Sequence, residues 1–142
     1  MSLLNLFGSK QTSKVVSDQL RSFLNDFSIE VMPRTAAKIE AFNDILPKKT
    51  RIYIAHIEGV PIDEMINTAK RIQHEGFEVI PHFPARIIEN QLMLEDWIKT
   101  YREEANIDQA LILAGGVDKP HGVFENSMQL VETELFNKYN FK

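Results

Sequence analysis

The sequence predicts an α/β fold of parallel βα units, four of them behind an N-terminal helix, which is half the number that closes a TIM-type barrel. Three observations carry this expectation. Strand-like apolar runs alternate with helix-period runs along the chain, and no Asn-Gly or similar hairpin signal joins two apolar runs. The chain also stops at Asn140-Phe141-Lys142, directly after the fourth helix, where a fifth strand would start. The expected sheet is therefore parallel and sequential, with its helices on one face, an order that separates a half-barrel from a doubly wound sheet.

Taken in order, residues 1–12 read as an N-terminal tail and residues 13–142 as the partial barrel domain. Gly8-Ser9-Lys10-Gln11-Thr12-Ser13 is a short linker. From Ser13 to Phe27, Val16, Leu20, Phe23, Leu24 and Phe27 recur at helical spacing and predict an amphipathic helix. Ser28 to Met32 reads as the first strand, followed by a helix with Ile39, Phe42 and Leu46 on one face. Arg51 to Glu58 is the second strand. Pro61 opens the next helix, with Asp63 and Glu64 in its first turn, Lys70 and Arg71 near its end and Gly76 just beyond. Its buried stripe is Ile62, Met65, Ile66, Ala69 and Ile72. Phe77 to Phe83 and Gln109 to Ala114 are the third and fourth strands. The helix between them buries Leu94, Trp97, Ile98 and Tyr101, and the last buries Met128, Val131, Leu135 and Phe136.

At 142 residues, 44% hydrophobic and 25% charged, the chain has the composition of one globular domain with a sizeable core. It contains no cysteine, which fits a reducing compartment and excludes thiolate metal sites and thiol nucleophiles. A net charge of −4 without a basic stripe argues against nucleic acid as a partner. The apolar start, Met1 to Phe7, is far short of the ~20 residues that span a bilayer and lacks a signal peptide's charged start and cleavage site. A cytoplasmic protein with no membrane partner is expected.

Ligands of parallel α/β folds bind beyond the carboxyl ends of the strands. Those ends carry Met32-Pro33-Arg34-Thr35, His56-Ile57-Glu58-Gly59, Pro81-His82-Phe83-Pro84-Ala85-Arg86 and Ala114-Gly115-Gly116-Val117-Asp118. Within the first strand, alternation sets Ser28, Glu30 and Met32 against Ile29 and Val31. A carboxylate buried in such a run is paired, protonated or used in chemistry. Gly115-Gly116 lets backbone approach a ligand, although the segment lacks a P-loop and a dinucleotide fingerprint. His56, Glu58, His82 and Asp118 are the residues from which a hard-metal site of a barrel hydrolase or lyase would be built.

In order and spacing these segments resemble the methylenetetrahydrofolate reductase family, flavin-dependent oxidoreductases built on an eight-unit βα barrel. Ser28-Ile29-Glu30-Val31-Met32-Pro33-Arg34-Thr35 is similar to the family's opening Ser-Phe-Glu-Phe-Phe-Pro-Pro. Pro81-His82-Phe83-Pro84 is similar to its Pro-His-Leu-Thr, and Leu111-Ile112-Leu113-Ala114-Gly115-Gly116 takes the place of its Leu-Ala-Leu-Arg-Gly-Asp. Phe124 to Val131 falls where the family has an aromatic residue and a helix flanking the flavin.

The resemblance implies reduction of 5,10-methylenetetrahydrofolate to 5-methyltetrahydrofolate, in one-carbon and methionine metabolism, with FAD as cofactor and NADH or NADPH as electron donor. Glu30 would be the general acid, which must be protonated at the working pH, and its apolar flanks would favour that neutral form. His56, His82, Ala114, Gly115, Gly116, Asp118 and Ser127 would line the cofactor, and no metal would be needed. The family's Arg-Gly-Asp is replaced by Ala114-Gly115-Gly116, with Asp118 two residues on, and Ala55-His56-Ile57 stands where the family carries a Thr-Tyr pair. The chain thus reads as a truncated or divergent member, completed by a homo-oligomer or by a missing C-terminal half. A noncatalytic half-barrel that assembles through its open edges is the alternative from another class.

Overall fold

The structure is a computed structural model that describes residues 18–142. The tail of residues 1–12 and Val16 lie outside the described residues. Four strands, β1 (Ser28–Val31), β2 (Arg51–Ile54), β3 (Glu78–Pro84) and β4 (Leu111–Leu113), form one sheet in the order β1-β2-β3-β4. Every neighbouring pair is parallel, with Glu30 opposite Tyr53, Tyr53 opposite Ile80, and His82 opposite Leu111. The sequential parallel order expected from the sequence is the one observed.

Parallel registry makes residues opposite one another share a face. One face carries Val31, Ile52, Ile54, Val79 and Phe83, all buried, and the helices cover it. Helix α2 (Ile62–His74) buries Met65, Ile66, Ala69 and Ile72, and α3 (Gln91–Ala105) buries Leu94, Trp97, Ile98 and Tyr101. Phe83 is the centre of this layer: its ring lies 5.6 Å from that of Tyr101, 5.2 Å from Phe136 and 6.3 Å from Phe141. Each such buried aromatic stabilises by roughly 1.5–3 kcal/mol, with edge contacts adding to that. The other face holds exposed Ser28, Glu30, Arg51, Glu78 and Leu111 and half-buried Tyr53, with Ile80, His82 and Pro84 buried among them.

Both long helices start and stop as their sequences direct. Asn90 caps α3 by accepting from the Met93 amide at 3.0 Å, and Asn106, left-handed at φ 51°, ends it. Pro61 precedes α2, and Gly76, at φ +91°, turns the chain out of it.

Other expectations need correction. The helix after β1 is a four-residue turn, α1 (Pro33–Ala36), followed by a 3-10 turn at Phe42–Asp44. Arg71 on α2 explains the break, because its guanidinium donates to the carbonyls of Ala36 (3.1 Å) and Ile39 (2.9 Å) that a continuing helix would have used itself. Phe42 is still buried, edge-on to Phe77 at 6.2 Å. The last helix is split into α4 (Ser127–Glu132) and α5 (Leu135–Lys138) by Glu134, left-handed at φ 59°. That kink resets the helical phase, so Leu130 is buried while Met128 and Val131 are exposed. β2 ends at Ile54, four residues before the expected Glu58, and β4 is only Leu111–Leu113. Residues 18–23 are helical, and Leu20, Phe23 and Leu24 are exposed. No described helix is long and apolar enough to cross a membrane.

Candidate functional site

The sheet divides the residues singled out by sequence into two groups. Glu30 and His82 meet on the helix-free face, with Glu30 Oε2 3.3 Å from His82 Nε2. Tyr53, which the sequence analysis did not single out, completes this group, its ring 6.4 Å from the His82 ring at an interplanar angle of 65°. Glu30 itself is 59% exposed. The expectation of a carboxyl enclosed by apolar flanks is thus corrected, because Ile29 and Val31 turn to the opposite face and leave Glu30 to solvent and to His82. His82 is 7% exposed, and its Nε2 is buried without a hydrogen-bond partner. Burial lowers its pKa, with the Glu30 carboxylate opposing the shift, so the ring favours the neutral form. A neutral imidazole against a solvent-facing carboxyl can exchange a proton with it.

His56 does not join this group. Two residues beyond Ile54, it lies on the helix side, where its ring stacks on Trp97 at 4.7 Å and 22°. Burial, and secondarily His82, push its pKa down to about 4, and Nδ1 is buried with no partner. His56 and Trp97 line a cleft of about 440 Å³ between the loops after β2, β3 and β4. Across it His121 Nε2 lies 3.0 Å from Glu58 Oε1.

That loop geometry is set by backbone contacts. His121 N donates to Arg86 O at 2.8 Å and Val123 N to Glu89 O at 3.0 Å, fastening the loop after β4 onto the loop after β3. Arg86 adds its side chain, donating to Glu125 O at 3.0 Å and Val117 O at 3.3 Å. The sequence signal for His121 was its setting, Pro120-His121-Gly122, a polar ring held in a turn. His121 belongs to no strand end and Trp97 falls on a core stripe, so neither strand-end position nor periodicity marks them as site residues.

Residues Ala114 to Gly116 leave β4 at its carboxyl end. Ala114 O accepts from Arg86 N at 2.9 Å, and Gly115, at φ +95°, sits where a Cβ would come 3.1 Å from Pro84 Cβ. Gly116 faces open space, and the amides of Gly115 and Gly116 have no hydrogen-bond partner among the described residues. Asp118 is exposed further along the loop, and Ser127 is the first residue of α4, behind the Asn126 cap. His56, Glu58, His82 and Asp118 do not assemble into a metal site: among the described residues no three His, Cys, Asp or Glu converge as ligands. No family model matches the chain.

Proposed function

We propose that this chain is the first half of a βα barrel that reduces 5,10-methylenetetrahydrofolate to 5-methyltetrahydrofolate in the cytoplasm, with FAD as cofactor and NADH or NADPH as electron donor. The observation that carries the reading is the meeting of Glu30 and His82 on the helix-free face of a sequential parallel sheet. In a closed barrel that face is the interior, and its carboxyl end is the site.

The residues fit a flavin in two respects. His82 Nε2, 3.3 Å from Glu30 Oε2, is buried and makes no hydrogen bond, and the free amides of Gly115 and Gly116 offer donors on a rim that no side chain blocks at Gly116. His82 and the backbone from Ala114 to Gly116 would hold it. When bound and reduced, the flavin supplies a hydride. Glu30, exposed in the chain alone, would give a proton to the folate nitrogen, and so open the methylene bridge, once bound cofactor and substrate cover it. His82, neutral beside it, keeps the carboxyl in place, and the carboxylate takes its next proton from solvent, to which Glu30 is open. His56 acts from the other side of the sheet and takes no part.

Flavin titration of the purified protein, read by absorbance and by quenching of flavin fluorescence, tests this directly. Saturable FAD binding that weakens in His82→Ala supports the reading, and absence of FAD binding overturns it.

A second reading has its own observation. Among the described residues the outer edges of β1 and β4 pair with no strand, and the helix-free face exposes Leu111 and Met32. Open edges and apolar surface favour association of two half-barrels without catalysis. Sedimentation showing a stable dimer that takes up no flavin would select it.

A further inference from the structure

The cleft on the helix side of the strand ends is separate from the Glu30 and His82 face, and no group in it serves that chemistry. We propose that it is a binding site for a small organic cation with an apolar body, the size and charge of an arylalkylamine.

The lining sets the sign of the ligand's charge. Its polar side chains are the carboxylates of Glu58 and Glu89 and the imidazoles of His56 and His121, with no lysine or arginine among them. Glu58 spends one oxygen, Oε1, on His121. Its other oxygen and the whole Glu89 carboxylate form no hydrogen bond or ion pair among the described residues. His56 is uncharged at neutral pH and does not repel a cation.

A buried atom without a partner points to an occupant. His56 is 9% exposed, and its Nδ1 makes no hydrogen bond among the described residues. Leaving such an atom unpaired is costly, and a donor that reached it through a shift of the His56 ring, which lines the cleft, would relieve that cost. Val60, Ile62 and Met93 supply apolar wall for the rest of the ligand, and a volume of about 440 Å³ falls in the range of small-molecule sites. The backbone bonds of His121 and Val123 to the loop after β3 fix the cleft before anything enters it, which lowers the ordering cost of binding.

Trp97 is the only tryptophan in the chain and lines the cleft, so its emission reports occupancy. The intact protein would be titrated with phenethylamine and, in parallel, with phenylacetate, which has the same aromatic body and the opposite charge. The expected result is a saturable change in Trp97 emission with phenethylamine and binding at least roughly tenfold weaker for phenylacetate. Glu89→Gln, at an exposed position that makes no side-chain bond, should weaken phenethylamine roughly three- to tenfold while the protein keeps its helical circular dichroism. No saturable change up to roughly 10 mM phenethylamine would overturn the proposal. So would equal binding of the two probes, or heat of binding measured by calorimetry with no response from Trp97.

Discussion

Gly122 lies against the backbone of Glu89 so closely that a Cβ there would come 1.8 Å from the Glu89 carbonyl oxygen and 2.3 Å from its Cα. The obstacle is backbone, which cannot rotate out of the way. The contact holds the loop after β4 to the loop after β3, and with it His121 opposite Glu58. Gly122→Ala should destabilise by about 1–3 kcal/mol, the usual range for overpacking, in a urea titration. It should also move the His121 ring resonances.

Arg71 joins three segments. Besides the carbonyls of Ala36 and Ile39 it faces Glu75, with Nε 3.5 Å from Oε1, and its guanidinium lies 5.4 Å from the centre of the Phe42 ring. Arg71→Leu should cost about 1–3 kcal/mol by stranding the Ile39 carbonyl, the Ala36 carbonyl keeping its bond from Ile39 N at 3.0 Å. Arg71→Lys should recover only part of that, since a single ammonium cannot reproduce the planar fork.

The depressed pKa values of His56 and His82 link stability to pH. Between the ordinary histidine value of 6.5 and the His56 value of about 4, the unfolded chain binds more protons than the folded one, so stability rises with pH. It is fully present above about 6.5 and is lost as pH falls toward 4, with a limiting slope of about 1.4 kcal/mol per pH unit for each group. His82 acts in the same direction. Glu95, whose carboxyl Lys138 and Tyr139 hold at about 2, loses its contribution only at lower pH. Urea titrations from pH 7 to 5 therefore isolate the histidines, and His56→Gln should flatten the dependence over that range.

Glu30→Gln removes the transferable proton while keeping size and polarity at an exposed position. In the enzyme proposed, it should abolish methylenetetrahydrofolate reduction and leave flavin reduction by the nicotinamide largely intact, measured by stopped-flow absorbance. Loss of both half-reactions together would assign Glu30 to cofactor binding instead.

Much of the fold was legible in the chain because its cues are local. The stripe Met65, Ile66, Ala69 and Ile72, the start at Pro61 and stop at Gly76, and the apolar runs at Ile52 to Ile54 and Val79 to Phe83 each declare an element within a few residues, and the absence of hairpin turns points to a parallel sheet. The helix expected around Ile39 and Phe42 failed because Arg71, distant in sequence, claims the carbonyls that helix needed. The single last helix failed at Glu134, whose left-handed backbone no periodicity announces.

The sequence by itself determined that Glu30 opposes Ile29 and Val31, since alternation along a strand is a property of the backbone. Only the tertiary structure decided what each residue meets. Registry across three strands put His82 beside Glu30 and left that face to solvent, while strand alternation and the stacking of Trp97 turned His56 to the helix side. The pairing of His121 with Glu58 spans 63 positions and depends on two loops fastened by backbone bonds. Contacts of that kind arise from how separate elements dock, and no local pattern of residues encodes them.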